Sequence, residues 1–161
     1  NMRKYIPHIL IISFVFLLAH TAHVVSYAGE IEFYKEEVRK NPDDALAHFA
    51  LGLAYDDLGE VKEAIVSFKQ TIRLDPDYRY GYSFLARVYS EIGEYKKAIK
   101  LRKKILNNDP YDISTHIQLG FNYVNMGDID SAFEVYKRLK ELNKHGGAKA
   151  LLDYIDKHTQ P

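Results

Sequence analysis

The chain contains no cysteine. That absence excludes disulfides, thiolate metal sites, haem attached through cysteine and a cysteine-linked lipid. It suits reducing and oxidising compartments alike. An excess of one charge is also missing, since 22 Lys and Arg face 22 Asp and Glu. Phosphate binding requires a concentrated basic surface, so nucleic acid is not an expected partner. The sequence has no glycine loop for cradling phosphate and no G-x-S-x-G. Its glycines stand singly or as the pair Gly146-Gly147. No catalytic constellation is legible, and neither an enzymatic activity nor a cofactor is expected.

What is present is a folding composition. Apolar residues make up 47% and charged residues 27% of 161, which is globular rather than disordered and enough for one domain with a core. The first 28 residues read separately. "MRKYIPH" is basic, "ILIISFVFLLA" from Ile9 to Ala19 is uncharged, and Ser26 and Ala28 are small. These are the marks of a secretory signal cleaved before Gly29. The other reading is a retained anchor, because Ile9 to Ala28 spans 20 residues, the length of a membrane-crossing helix. Residues 5–28 would then tether the chain. His20, Thr21, His23 and Ser26 weaken the second half of that span and favour cleavage. Either way the expected location is outside the cytoplasm, in the periplasm or anchored facing it. The mature chain would carry 20 basic and 22 acidic residues, a mild solubility charge.

The rest of the chain repeats. Leu51, Leu85 and Leu119 are 34 residues apart, and so are Tyr55, Tyr89 and Tyr123. Gly59, Gly93 and Gly127 keep the same step, as do Ala64, Ala98 and Ala132, and Pro42, Pro76 and Pro110. Within a unit, Leu51, Ala54, Tyr55 and Leu58 form one helical stripe, and Ala64, Ile65, Phe68 and Ile72 form another. Gly59 between them stops the first helix in a left-handed turn. Glu60 opens the second helix with a negative charge at its positive end. The small residues Ala64, Ala98 and Ala132, with Gly52, Ala86 and Gly120, allow close helix approach. The tyrosines fill the gap and leave a hydroxyl for a polar partner.

These residues resemble the tetratricopeptide repeat, whose pattern is W-x2-L-G-x2-Y, A-x3-F, P. The units read His48, Leu51, Gly52, Tyr55, Ala64, Phe68, Pro76; then Tyr82, Leu85, Ala86, Tyr89, Ala98, Arg102, Pro110; then His116, Leu119, Gly120, Tyr123, Ala132, Tyr136, Lys144. The tryptophan is replaced throughout, Arg102 departs from the aromatic position, and Lys144 departs from the proline. The resemblance implies an all-α, right-handed superhelical solenoid of helix–turn–helix units. The expected division is 45–78, 79–112 and 113–146, with a capping half-repeat at 29–44 and a capping helix at 147–161 after Gly146-Gly147. Eight helices and no strands are expected.

The resemblance also implies a non-enzymatic module that holds a partner protein or peptide on a concave face. Carried over by register, that face takes Leu46, Phe49 and Leu53 from the first unit. The second supplies Tyr80, Ser83 and Arg87, and the third Ser114, Ile117 and Phe121. Asp57, Glu91 and Asn125 fall at its edge. Relatives that grip chaperone C-terminal carboxylates use lysine, asparagine and arginine there; only Arg87 is present, so that ligand is not expected. The competing reading of Leu46, Phe49, Ile117 and Phe121 is packing against neighbouring units or caps. The competing function is a scaffold that associates with its own copies.

The remaining polar clusters have plain readings. Asp43-Asp44 should cap a helix, and Asp56-Asp57 a solvated helix end. His20 and His23 have a chelating spacing but no third ligand, so no metal is expected. His48 and His116 fill the ring position and should pack. Lys96 to Lys104 reads as a solvated basic helix face. The leader reading has a direct check. Mass spectrometry of the expressed full chain should find a mature N-terminus at Gly29, outside the cytoplasm. An intact chain in the membrane fraction would establish the anchor instead, and an intact chain in the cytosol would defeat both.

Overall fold

The computed structural model of the protein describes residues 29–142 and 145–159. The leader, its cleavage site, the tether segment and the His20–His23 pair lie outside these residues. The described residues form eight helices and no strand. They are α1 (29–40), α2 (Ala45–Leu58), α3 (Val61–Leu74), α4 (Arg79–Glu91), α5 (Tyr95–Asn108), α6 (Ile113–Met126), α7 (Ile129–Glu141) and α8 (His145–Thr159). None of the described helices is long and apolar enough to cross a membrane. The chain divides into two compact units, one ending at Ser67 and one beginning at Phe68.

In the first unit, α1 covers α2. Ile31, Tyr34 and Val38 share one face and pack around Leu51 and Ala54, with Tyr55 and Leu58 beside them. The opposite face of α1 is laced by Lys35–Glu32, Arg39–Glu36 and Lys40–Glu37 pairs at 2.7–2.9 Å. Such exposed, solvent-screened pairs contribute little to stability. The apolar face of α1 therefore decides its place. Asp44 caps α2, accepting from the backbone N–H of Leu46 and Ala47.

In the second unit each helix packs on the next: α4 on α5, α5 on α6, and α6 on α7, while α8 lies against both α6 and α7. Phe68 of α3 meets Phe84 of α4, ring centroids 5.8 Å apart. Leu139, Leu151 and Ile155 close the core under α8, essentially without exposure. Burying each is worth about 1.5–3 kcal/mol. Asp112 caps α6 and also receives the Arg79 guanidinium from the start of α4, which ties one unit's first turn to the next.

The three glycine turns are the same turn. Gly59, Gly93 and Gly127 have φ of 84°, 78° and 83°. In each, the residue after the glycine donates its N–H back to the repeat tyrosine: Glu60 to Tyr55 O, Glu94 to Tyr89 O, Asp128 to Tyr123 O, at 2.8–2.9 Å. The glycine itself donates to the carbonyl one residue beyond that tyrosine. This is the Schellman closure of a helix end.

A second bond recurs with the same period. His48 Nε2 donates to Pro42 O, Tyr82 Oη to Pro76 O, and His116 Nε2 to Pro110 O, each at 3.0 Å. The ring position therefore carries a donor in every unit, reaching back across the preceding turn. Each such bond contributes about 0.5–1.5 kcal/mol. It also sets the histidine tautomers, since Nε2 must carry hydrogen to face a carbonyl.

The repeat breaks its own rule at Arg102. Its equivalents, Phe68 and Tyr136, are rings, yet Arg102 is only 3% exposed. One Nη donates to Ser90 Oγ at 3.3 Å, and Nε has no hydrogen-bond partner. Burial pushes the guanidinium down to about 10. No carboxylate pairs with it among the described residues, so its desolvation is left uncompensated. We expect Arg102→Met, of similar length and apolar, to stabilise the fold by about 1 kcal/mol or more. Thermal denaturation checks this, and a lower melting temperature would show that the cation is needed.

Candidate functional site

The face assigned by register is built from the first helix of each unit. Leu46, Tyr80 and Ser114 occupy one repeat position, Phe49, Ser83 and Ile117 the next, and Leu53, Arg87 and Phe121 the third. Positions i, i+3 and i+7 place each set on one side of its helix. The opposite side of each helix carries the core residues Leu51, Leu85 and Leu119.

The three sets fare differently. On α2, Leu46 is 58% exposed, while Phe49 and Leu53 are half-buried. On α4, Tyr80 is 60% exposed, with Ser83 and Arg87 half-buried below it. Arg87 donates to Glu91 at 2.7 Å and lies 5.2 Å over the Phe84 ring. On α6, Ser114 is exposed, but Ile117 and Phe121 lie under α8. The Phe121 and Tyr154 rings are 4.5 Å apart, and Tyr154 Oη donates to Asn125 Oδ1 at 2.7 Å. The His158 and Tyr154 rings are also in contact, centroids 4.1 Å apart. Within the third unit, then, this face already holds an amphipathic helix.

The seat of α8 explains one departure from expectation. Gly146-Gly147 reads as a break before the last helix, yet α8 begins at His145 and contains both glycines. A Cβ on Gly147 would stand 2.9 Å from Ile117 Cδ1, whereas one on Gly146 would meet nothing. Close contact with α6 therefore accounts for the glycine at 147. The same contact accounts for Gly120, where a Cβ would overlap the fully buried Leu151.

Among the described residues, no cluster of three or more His, Asp and Glu side chains is arranged to hold a metal. Asp128 is electrostatically perturbed at a helix end. Hydrogen bonds from the Ser131 side chain and backbone hold its carboxyl below the usual range. That is the capping of α7, not a catalytic feature. Two hollows went unseen in the sequence, because they arise where helices meet. Both lie in the second unit, off the face just described, and the basic run on α5 borders one of them.

Comparison with known proteins agrees with this geometry. Family models described as tetratricopeptide repeat match residues 39–78, 82–112 and 113–145. Among solved structures, a MamA protein is 30% identical, with a TM-score of 0.67, over 71% of this chain and 62% of that one. A tetratricopeptide repeat protein from Parabacteroides merdae is 20% identical with a TM-score of 0.74, over 91% of this chain and 58% of that one. This chain thus spans less than two thirds of either protein. YrrB, described as a TPR protein with an unusual peptide-binding site, is 18% identical with a TM-score of 0.65, over 91% and 84%. At that identity the likeness to the last two concerns the fold alone. No curated protein is detectably similar in sequence.

The docking of α8 yields a paired test. Gly146→Ala should stabilise the chain by about 0.5–1 kcal/mol, the helix-propensity gain of alanine. Gly120→Ala has the same intrinsic gain but should cost about 1–3 kcal/mol net, because Leu151 has nowhere to move. Chemical denaturation measures both, and equal effects would remove the packing explanation.

Proposed function

The chain belongs to the tetratricopeptide repeat family, and from that premise we propose a non-enzymatic adaptor that holds a partner protein through the first-helix face of its repeats. The family and its structural neighbours support a protein-interaction module. The observation that carries the finer reading is the pair Leu46 and Tyr80. They occupy the same repeat position, and each keeps a large apolar side chain more than half exposed. Scattered exposed apolar residues need no explanation, but a position that repeats the pattern suggests a surface held open for a ligand. The seating of α8 on Ile117 and Phe121 adds a built-in precedent. An amphipathic helix fits this face of a first helix, with an aromatic pair and one hydrogen bond fixing its register. The occupant proposed for such a first-helix face is accordingly a partner segment with an apolar stripe. The leader sends the adaptor out of the cytoplasm, either into the periplasm or to the membrane as a tethered form.

In-cell photo-crosslinking tests the face. A photoreactive phenylalanine placed at position 46 or 80 should cross-link one partner, and the same probe at position 137 on α7 should not. Tyr80→Ala should weaken capture of that partner by at least about tenfold. Its melting temperature should be unchanged, since Tyr80 is exposed. Cross-links to a second copy of the chain would replace the adaptor with a self-assembling scaffold. Identical cross-links from all three positions would defeat the assignment of this face.

A further inference from the structure

Helix α5 reads YKKAIKLRKKILNN and holds no acidic residue. Part of its charge borders a hollow of about 300 Å³ where α3, α4 and α5 meet. Leu85, Leu101 and the Tyr89 ring supply apolar wall. Lys69 enters from α3, and Lys97 and Lys100 from α5. The hollow is separate from the face proposed above, because α4 carries Tyr80, Ser83 and Arg87 on one side and Leu85 and Tyr89 on another.

The repeat supplies an internal control. One unit later, a hollow of about 250 Å³ is lined by Leu119, Tyr123 and Val135, the equivalents of Leu85, Tyr89 and Leu101. Packing of the repeat thus generates the hollow, and the residues at its edge set its charge. In the later copy, Ser131 stands for Lys97 and Glu134 for Lys100. Glu134 is paired with Lys137 at 2.6 Å, and Arg138, also at that edge, with Glu141 at 3.0 Å. Lys103, the equivalent of Lys69, lies 5.6 Å over the Tyr123 ring, so the later copy differs in having an acid, Glu134, where the earlier has Lys100. In the earlier copy only Lys97 has a carboxylate, Glu94 at 3.2 Å, and its ammonium also lies 5.4 Å over the Tyr89 ring. Lys69 and Lys100 form no ion pair among the described residues.

We propose that this hollow is a second docking site, which takes an apolar side chain of a partner peptide flanked on both sides by Asp or Glu. The size is at the low end for ligand pockets, about 300–1,000 Å³, and suits one inserted side chain rather than an enclosed small molecule. The charge pattern selects the flanks. Cations enter from two helices, so acids on both sides of the inserted residue are matched, whereas a single anionic head group would engage one wall. Lysine stems extend the apolar wall while their ammoniums stay in water, which keeps the site soluble when empty. Complementary charge then sets orientation and encounter rate.

The test is fluorescence anisotropy with the whole chain and a fluorescein-labelled peptide bearing a central Phe between Glu-Asp pairs. The peptide should bind, and Lys69→Ala with Lys100→Ala should weaken it about tenfold. Both side chains are exposed, so the melting temperature of that variant should hold. Lys62→Ala with Lys149→Ala removes the same charge elsewhere and should leave affinity unchanged. A peptide with Ser for Phe should bind at least about tenfold more weakly. Equal loss in both lysine pairs, or equal binding of the Ser peptide, would reduce the effect to general charge attraction and overturn the proposal. Saturable binding of dodecanoate with no binding of the peptide would assign the hollow to an anionic lipid chain and overturn it as well.

Discussion

Two helices can lie close together only where neither presents a large side chain, and the rest of this fold depends on that constraint. Ala64, Ala86, Ala98 and Ala132 are wholly buried, and Gly120 admits Leu151 into direct contact with its backbone. Close approach at these points brings the larger residues alongside into full contact. Val88, Leu139, Leu151 and Ile155 lose almost all their water there. A protein interior is packed as tightly as an organic crystal, so a single added methyl group at such a point has to displace something. The turns serve the same end. A left-handed glycine reverses the chain within one residue, and the returning N–H ties the turn to the carbonyl of the repeat tyrosine.

Most of this was legible. A 34-residue step in five residue types needs only counting, and the glycine at each helix end has a conformational reason that any sequence shows. Legibility failed where a side chain answers to something distant. Gly146-Gly147 carries the lowest helix propensity short of proline, so a break was the local reading; contact with Ile117 overrode it. Arg102 looked like a departure from pattern at a surface-prone residue type, and nothing local announced that it would be buried. The backward bond from the ring position did leave a trace. His48, Tyr82 and His116 all carry a polar hydrogen on a ring, and phenylalanine never appears there.

The candidate face was legible by register but not in its occupancy. Periodicity puts Ile117 and Phe121 in line with Phe49 and Leu53, because all four obey the same helical geometry. Whether a terminal helix then covers some of them depends on its length, its apolar stripe and where its own small residues fall. Those quantities lie outside the repeat. The paired hollows were hidden for a related reason: each is lined by residues from more than one helix, and no stretch of sequence contains its outline.

From α4 onward, the main helix–helix contacts join helices no more than two places apart along the chain. That adjacency has a kinetic consequence. Domains dominated by such local contacts fold in microseconds to milliseconds, because little loop entropy is lost before contact is rewarded. A ribosome emitting about 5–20 residues per second takes on the order of seconds to deliver each 34-residue stretch. Contacts of this range form fast relative to that delivery. From α4 onward, each helix therefore finds its partners without drawing on any segment more than two helices away.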